Sequence, residues 1–295
     1  MGIQLREHQQ EAISKMKNGC ILCGGVGSGK SRTALAYYYI SHGGLIGDGK
    51  TRTEPMSNPC PLYIITTARK RDTFEWELEY APFLLDNVIV DSWNNIKKYV
   101  GVSDAFFIFD EQRVVGKGVW VDSFLKITKK NEWILLSATP GDKWEDYIPV
   151  FIANGFFRSR REFNRNHVVF SPYTTFPKID RYLNTGRLIR LRNRILVDMK
   201  FDRPTIPHTV DIYVDYDNRT YRQLMKTRWD IWKDAPIESA SGLCYCLRRC
   251  VNSDESRQTK LLEIFEDHPR LIIFYNYDYE LEILKNMYWE DAEVA

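Results

Sequence analysis

The sequence lacks long hydrophobic runs and any pattern typical of a targeting segment. No stretch approaches the ~20 apolar residues that a membrane-spanning helix needs. The amino-terminal MGIQLREHQQ has neither the apolar core of a signal peptide nor the Ser or Thr that a myristoylation motif requires. These absences argue against a membrane or secreted protein, and we expect a soluble protein of the cytoplasm.

Cysteine is scarce, with six in 295 residues, and its spacing does not imply disulfides. Cys20 and Cys23 form a CxxC pair within an apolar strand pattern, where residues three apart point to opposite faces. Cys244, Cys246 and Cys250 have no matching second pair of ligands elsewhere in the chain. We expect core thiols, with a zinc site as the alternative.

The net charge is only +2, but it is unevenly distributed. Residues 155–207 hold 12 Lys or Arg against 4 Asp or Glu, a local charge of +8, which leaves −6 on the rest of the chain. This asymmetry predicts a polyanionic partner for one region only. The apolar fraction of 44% is typical of a globular protein, and the length is sufficient for two domains.

Two stretches match the phosphate-binding pattern GxxxxGK[ST]. In GGVGSGKS, residues 24–31, the apolar run CILC precedes the glycines and the helical pattern SRTALAYYYI follows them. A phosphate loop needs this setting, because backbone N–H groups and a helix N-terminus together hold the phosphates. GGLIGDGKT, residues 43–51, instead runs into TRTEPMSNPCP, whose prolines rule out a helix start. We expect the first stretch to bind phosphate and the second to be a surface loop.

The first stretch predicts a nucleotide site with magnesium. Lys30 would reach the β- and γ-phosphates, and the Ser31 hydroxyl would ligate Mg²⁺. The other expected nucleotide-binding residues are Gly24, Gly25, Val26, Gly27, Ser28 and Gly29. A merely tight turn between strand and helix is the alternative.

Four short apolar runs then alternate with helical patterns: PLYIITTA, NVIVDSW, AFFIFDE and EWILLSATP. Nearly continuous apolar runs are typical of strands covered on both faces of a parallel sheet, so the predicted fold class is doubly wound α/β. AFFIFDE places Asp110 and Glu111 at a strand's carboxyl end, where open parallel sheets bind ligands. One carboxylate there can hold magnesium through water while its neighbour orients or deprotonates the attacking water. An ordinary acidic strand end is the alternative.

EWILLSATP ends in two hydroxyl residues, Ser137 and Thr139. They either hydrogen-bond the acidic pair or cap the next turn, and the residues alone favour the cap.

The order of LREHQ, GGVGSGKS, IITTARK, DEQR, SATP and LIIFYN resembles that of superfamily 2 helicases and translocases. The spacing of TFEWELE after IITTARK is similar to the chromatin-remodeller-like branch, and compact proteins of this type also occur in tailed bacteriophages. The resemblance covers residues 5–284. It implies two RecA-like lobes of the P-loop NTPase class, ATP and Mg²⁺ as cofactors, and DNA as partner.

The resemblance also implies residue roles in ATP hydrolysis. Gln9 would read the adenine, with Arg6 beside it. Lys30, Asp110 and Glu111 would carry catalysis, Asp110 as the magnesium-water ligand and Glu111 as the catalytic carboxylate.

The resemblance also implies which residues contact the nucleic acid and which couple it to the nucleotide. Ser137 and Thr139 would link nucleotide to nucleic acid, and motif Ia residues would contact the nucleic-acid backbone. The acidic box reads DEQR rather than DEAD or DEAH, so Arg113 stands at a coupling position whose role is left open. The motif Ia residues are Thr67, Arg69 and Lys70.

Residues 1–154 are expected to form the first lobe, and residues 155–207 a basic, aromatic-rich bridge to a second lobe at 208–295. In the bridge, Arg158, Arg160 and Arg161 alternate with aromatics, which favours binding to nucleic-acid phosphates. The alternative is a linker whose aromatics pack on the lobes while its charges are solvated. RLIRLRNRIL predicts a helix that carries Arg187, Arg190, Arg192 and Arg194.

The second lobe is expected to be incomplete. IPHTVDIYVDY and LIIFYN predict strands, and RTYRQLMKTRWDIW, SRQTKLLEIFEDH and DYELEILKNMYW predict helices. A RecA-like lobe needs more strands, and nothing before Ala295 resembles the family's motifs V and VI, which carry arginine fingers. We expect either a fragment of a longer protein or a naturally short relative.

The leading hypothesis is an ATP-dependent helicase or translocase acting on DNA, weakly active in these 295 residues. The alternative is a nucleotide-dependent nucleic-acid-binding module without efficient hydrolysis. A small-molecule kinase or another P-loop enzyme is disfavoured by SATP, LREHQ and the second lobe.

Overall fold

The computed structural model describes residues 3–47, 53–111, 114–201, 206, 208–268 and 270–287. The chain divides into two compact units, Met1–Pro204 and Thr205–Ala295. No helix in the described ranges is long and apolar enough to cross a membrane.

The first unit alternates strands and helices. Its strands are β1 (Ile21–Cys23), β2 (Leu62–Thr66), β3 (Val88–Ser92), β4 (Phe106–Asp110), β5 (Glu132–Ser137), β6 (Val168–Phe170), β7 (Ile179–Tyr182) and β8 (Leu196–Asp198). Its α-helices are α1 (Glu7–Lys15), α2 (Lys30–Ser41), α3 (Ala68–Asp72), α4 (Glu75–Tyr80), α5 (Val119–Ile127), α6 (Ile148–Ala153), α7 (Arg160–His167) and α8 (Thr185–Ile195). Short 3₁₀-helices cover Ala81–Phe83, Trp93–Tyr99 and Trp144–Tyr147.

Six of these strands form one parallel sheet in the order β3-β2-β4-β5-β1-β8. Each apolar run that predicted a strand in this lobe forms one, and β6 and β7 pair separately as an antiparallel hairpin. The predicted α/β class with a RecA-like parallel-sheet lobe is confirmed. Because all six strands are parallel, their carboxyl ends meet at one edge of the sheet.

Both faces of the sheet are buried, which explains the continuous apolar runs. Successive residues of β4 point to opposite faces. Phe107 and Phe109 therefore pack in one hydrophobic core, whereas Phe106 and Ile108 pack in the other. The first four residues of β4 are apolar, and its only carboxylate, Asp110, lies at the end of the strand, at the edge of the sheet.

The sheet's sixth strand comes from the basic stretch, residues 155–207. β8 pairs with β1, and Met199, just beyond it, donates its backbone N–H to the carbonyl of Cys23 at 2.7 Å. Much of this stretch is therefore an integral part of the first unit. The predicted helix RLIRLRNRIL is confirmed as α8.

The second unit is mainly helical. Its elements are α9 (Asn218–Thr227), β9 (Trp229–Asp230), β10 (Ala235–Pro236), α10 (Ala240–Asn252), α11 (Glu255–Asp267) and α12 (Asp278–Asn286). Its described core is small: Leu224, Cys246 and Cys250 are buried together against partly buried aromatic and aliphatic side chains. The three helices predicted in this region form, as α9, α11 and α12, but the first is shorter than predicted, since α9 ends at Thr227 and Trp229–Asp230 form β9.

The two strands predicted in the second unit are absent from its described residues. The apolar side chains of IPHTVDIYVDY and LIIFYN are largely exposed, with Tyr213 at 87% and Phe274 at 89% exposure. A strand needs a neighbour to pair its backbone N–H and C=O groups. The only strands described in this unit are the two-residue β9 and β10, which pair with each other. The alternating pattern was therefore insufficient to predict a strand.

All six cysteines have free thiols. Cys20, Cys246 and Cys250 are buried, and Cys244 is exposed. Among the described residues, no three His, Cys, Asp or Glu side chains are grouped so that they could hold a metal ion.

Candidate functional site

The phosphate-loop residues lie between β1 and α2, in the setting that the sequence predicted. Gly27 and Gly29 have φ values of 79° and 82°, a left-handed conformation that glycine adopts without a steric penalty. Lys30 begins α2, and its Nζ donates to the carbonyls of Gly24 at 2.7 Å and Gly25 at 2.9 Å. The turn thus combines left-handed glycines, a cation and a helix N-terminus, which are the parts of an anion site.

Helix α1 packs its polar side chains against this loop. Gln9 is buried; its Oε1 accepts from the backbone N–H of Arg6 at 2.8 Å, and its Nε2 donates to the Gly29 carbonyl at 3.2 Å. Gly29 has a φ of 82°, where a side chain would be strained, and a Cβ atom there would lie 2.5 Å from that Nε2 and displace the Gln9 side chain. The predicted contact of Gln9 and Arg6 with adenine stays a prediction. What the structure shows is that Gln9 joins α1 to the loop.

Sequence analysis missed His8, the neighbour of Gln9. Its Nε2 lies 3.0 Å from the carbonyl of Ser28, and its ring is 5.1 Å from the ring of Phe201. Arg6 lies over the same Phe201 ring at 5.5 Å. The only available signal was the adjacency of His and Gln in LREHQ, which says nothing about a contact twenty residues away.

Asp110, at the end of β4, receives three side-chain hydrogen bonds on one oxygen. Thr66 Oγ1, Lys70 Nζ and Trp76 Nε1 donate to its Oδ2 at 2.8, 3.0 and 3.2 Å. Trp93 Nε1 donates to its backbone carbonyl at 2.9 Å. Asp110 is only 3% exposed, so these donors replace water around the buried carboxylate.

Trp76 is the tryptophan of TFEWELE, and the sequence predicted no role for its side chain. It lies on α4 and is buried, with its indole N–H directed at Asp110. Buried tryptophans need a partner for that N–H. The structure therefore gives the pattern a physical reason, because Trp76 fixes the orientation of the acidic side chain.

Glu111 follows β4 in an unusual backbone conformation. Its φ is 59°, the left-handed region, which costs a non-glycine residue roughly 1–2 kcal/mol. Its side chain is 43% exposed and lies 3.4 Å from Lys70 Nζ. The chain turns away from the strand direction at Glu111. As a result, the carboxylate of Asp110 is buried and that of Glu111 is accessible.

The two lysines near this pair are affected by it in opposite ways. Burial lowers the pKa of Lys30, and the charge on Lys70 lowers it further, against the attraction of Asp110 and Glu111. Burial alone would lower the pKa of Lys70 as well, but its ion pairs and hydrogen bonds with Asp110 and Glu111 outweigh burial and raise it. All four side chains therefore lie within electrostatic reach of one another.

The donor set fits magnesium. Mg²⁺ is usually held by one or two carboxylates, water and substrate phosphates rather than by a complete protein cage. Ser31, half-buried in the first turn of α2, and Asp110 supply that kind of partial set beside the phosphate loop.

Ser137 acts as a turn cap. Its Oγ accepts from the backbone N–H of Thr139 at 3.1 Å, as the residues alone favoured. The carbonyl of Ser137 accepts from the backbone N–H of Gly24 at 3.2 Å, which ties the SATP strand end to the phosphate loop. A coupling role for Ser137 and Thr139 stays a prediction. Arg113 lies outside the described residues.

The second glycine-rich stretch is only partly described, and its Lys50 lies outside the described residues. Leu45 and Glu54 pair through two backbone hydrogen bonds of 3.1 and 2.9 Å, which closes the loop that follows α2. Phosphate binding by the first stretch rather than the second stays a prediction.

The motif Ia residues differ in their contacts. Thr67 is the N-cap of α3, and its side chain accepts from the backbone N–H of Lys70 at 3.3 Å. Arg69 is exposed. Lys70 points to the acidic pair, so it contacts the predicted magnesium site rather than standing free for nucleic acid.

The three predicted arginines before and within α7 also differ. Arg158 and Arg161 have exposed side chains. Arg160 Nη2 donates to the carbonyl of Gly116, and burial lowers the pKa of Arg160. Two of the three are accessible to a polyanion, and the third is engaged in the fold.

The aromatics of the basic stretch divide the same way. Phe157 and Phe163 are buried in the core, and three arginines of α8 lie over aromatic rings of the first unit at 5.2 to 5.8 Å. In contrast, Tyr173 is 94% exposed and Phe176 is also exposed, in the loop between β6 and β7. Part of the stretch therefore packs on the first unit and part is exposed, and binding of nucleic acid by the exposed part stays a prediction. The stacked arginines are Arg187, Arg192 and Arg194.

The parallel sheet and the loop at its edge define the first unit as a RecA-like lobe of the P-loop NTPase class. No protein-family model and no curated protein matches the chain. Among solved structures, the Sulfolobus solfataricus SWI2/SNF2 ATPase core domain is similar, with a TM-score of 0.51, 15% identity, 97% of this chain covered and 68% of that chain. The Pyrococcus furiosus Hef helicase domain matches with a TM-score of 0.37 and 16% identity, over 52% of this chain and 39% of that chain. The likeness to the Sulfolobus solfataricus domain shows a shared fold.

Proposed function

We propose that the chain is an ATP-dependent helicase or translocase that acts on DNA. One observation carries the proposal: the loop with Lys30 and the pair Asp110 and Glu111 lie at the carboxyl ends of β1 and β4 in a single parallel sheet. The backbone hydrogen bond from Gly24 to Ser137 ties the loop to β5, the strand that lies between β1 and β4. The likeness to a SWI2/SNF2 ATPase core supports the same class through its fold.

Each site residue then has a chemical role. Lys30 supplies a cation for the terminal phosphates, and the loop N–H groups and the start of α2 hold the rest of the triphosphate. Ser31 and Asp110 would hold Mg²⁺, which neutralises charge that develops on the transferred phosphoryl group. Glu111, accessible beside the buried Asp110, is placed to orient or deprotonate the attacking water.

DNA as the partner is supported by the surface of the basic stretch. Arg158 and Arg161 are exposed, and Tyr173 and Phe176 extend from the β6–β7 loop. Exposed cations bind the phosphate backbone, and exposed aromatic rings stack on unpaired bases. The local charge of +8 fits such a partner.

The test begins with nucleotide binding. Lys30→Ala should abolish binding of a fluorescent ATP analogue in the presence of Mg²⁺, because it removes the cation at the terminal phosphates. Lys50→Ala is the matched control, a lysine in the second glycine-rich stretch, and it should leave binding unchanged. Loss of binding in Lys50→Ala with retention in Lys30→Ala would reverse the assignment of the loops.

The ATPase rate then separates the two hypotheses. Turnover would be measured with and without single-stranded DNA, duplex DNA and a matched RNA. Arginine fingers are worth about 10³ to 10⁵ in rate, and residues 1–295 contain no motif that resembles those carrying them. We therefore expect slow hydrolysis with little stimulation. Binding without any hydrolysis would favour the nucleotide-dependent binding module, and strong stimulation by DNA would contradict the expectation of weak activity.

A further inference from the structure

Lys70 is shared by the two carboxylates of the candidate site. Its Nζ lies 3.0 Å from Oδ2 of Asp110 and 3.4 Å from Oε1 of Glu111. The Lys70 side chain is partly buried, and its helix, α3, follows directly after β2, the strand beside β4. The cation is therefore held at the sheet edge where the acidic side chains end.

Lys70 does not duplicate Lys30. The ammonium group of Lys30 is hydrogen-bonded to the carbonyls of Gly24 and Gly25 within the phosphate loop. The ammonium group of Lys70 instead forms ion pairs with both carboxylates of the acidic pair. One lysine thus belongs to the phosphate loop and the other to the carboxylates.

We propose that Lys70 competes with Mg²⁺ for Asp110 and Glu111, and that its release couples binding of the metal–nucleotide to binding of nucleic acid. The proposal rests on the proposed function. A divalent cation on Asp110 and the Lys70 ammonium are like charges drawn to the same carboxylate, so each weakens the binding of the other. Lys70 is therefore a coupling residue rather than a catalytic one.

The surroundings of α3 favour movement of this one side chain. Arg71, the next residue, is anchored to β3 by Asp91 at 3.3 Å. Thr67 caps the helix start. Because Thr67 caps the helix and Arg71 is paired with Asp91, Lys70 can exchange one anion for another by rotation of its four-carbon stem, without movement of α3.

The second anion is a phosphate of the nucleic acid. Arg69, on the same short helix, is exposed and adds positive charge to that surface. When nucleic acid draws Lys70 outward, the carboxylates become better ligands for Mg²⁺. Linkage requires the reverse as well, so Mg²⁺ with nucleotide should strengthen nucleic-acid binding by the same factor.

The experiment measures the Mg²⁺ concentration that gives half-maximal binding of a fluorescent ATP analogue, with and without a single-stranded DNA oligonucleotide. In the unmodified chain, DNA should lower this midpoint by about 5-fold or more, the usual lower range of coupling between sites. Lys70→Met keeps the stem and removes the charge. It should lower the midpoint without DNA and abolish the further shift with DNA.

Two variants serve as controls. Lys97→Met, an exposed lysine in the 3₁₀-helix Trp93–Tyr99, removes the same charge elsewhere and should behave like the unmodified chain. Lys70→Arg keeps the charge and should retain a shift with DNA, which guards against the possibility that Lys70→Met fails to fold.

The outcomes separate the two proposals. A higher midpoint in Lys70→Met, or a DNA shift that persists in it, would overturn the competition while leaving ATP binding intact. An unmodified chain that binds no nucleotide at any Mg²⁺ concentration would overturn the proposed function together with this inference. A DNA shift present in the unmodified chain and in Lys70→Arg but lost in Lys70→Met is the expected result.

Discussion

Replacing Asp91 with Asn should remove an acid-dependent contribution to the free energy of unfolding. Asp91 lies near the end of β3, where its carboxylate accepts hydrogen bonds from Tyr99 OH and Ser92 N at 2.7 Å and from Asn95 Nδ2 at 2.8 Å. Burial alone would raise the pKa of Asp91. These hydrogen bonds, with one from Arg71 at 3.3 Å, outweigh burial and lower the pKa from 3.8 to about 2.

The magnitude follows from linkage between proton binding and folding. A shift of that size corresponds to about 2 kcal/mol of stability, because each pKa unit is worth about 1.4 kcal/mol. The folded pKa of Asp91 is the lower one, so this contribution is fully present above the unfolded value and is lost as the pH falls towards 2. About 1 kcal/mol of it should already be lost at pH ~3.

Urea unfolding followed by tryptophan fluorescence between pH ~6 and ~3 would test this prediction. The difference in stability between the unmodified chain and Asp91→Asn should be largest near neutral pH and should shrink on acidification. Asp86→Asn, an exposed aspartate five residues earlier, is the matched control and should show no such trend. A difference for Asp91→Asn that stays constant with pH would refute the assignment of the effect to its carboxylate.

Two further predictions concern the site and the basic surface. Trp76→Phe should lower the free energy of unfolding by about 1.5–3 kcal/mol, because it removes one of the three side-chain donors to the buried Asp110 carboxylate. It should also weaken Mg²⁺-dependent nucleotide binding, and an unchanged urea midpoint would contradict the prediction. Arg158→Gln with Arg161→Gln should lower the log–log salt dependence of DNA binding by roughly 0.7 to 0.9 per lost phosphate contact, measured by fluorescence anisotropy. Arg160→Gln should instead lower the free energy of unfolding, since Arg160 donates a hydrogen bond to a backbone carbonyl. An unchanged salt dependence in the double variant would show that Arg158 and Arg161 do not contact DNA.

The strands of the first unit could be predicted because their signal is local. In β4, the unbroken run FFIFD reports burial on both faces, and the following Glu111 marks the point where the strand reaches the sheet edge. The phosphate loop is equally local, since its glycines, its lysine and both flanking elements are contiguous. Such features depend on period and turn chemistry that a single sequence contains.

The partners of Asp110 could not be predicted in the same way. Trp76 and Lys70 lie 34 and 40 residues before it in the chain, and only the pairing of β2 with β4 brings them to its side chain. The second unit shows the opposite case, where alternation in IPHTVDIYVDY was read as a strand although no neighbour is described for it. Pairing depends on the whole sheet, which periodicity does not encode.

The convergence of three donors on Oδ2 of Asp110 affects the choice of an inactive control for later experiments. A carboxylate oxygen accepts all three hydrogen bonds and carries the charge that pairs with Lys70. An amide lacks that charge in either orientation, and in one of them its NH₂ group would face the donors of Thr66, Lys70 and Trp76. Asp110→Asn would therefore change folding and chemistry together, and its loss of activity would not identify a metal ligand. Glu111→Gln changes a partly exposed side chain that contacts this cluster through Lys70 at 3.4 Å, so it is the cleaner variant for separating catalysis from structure.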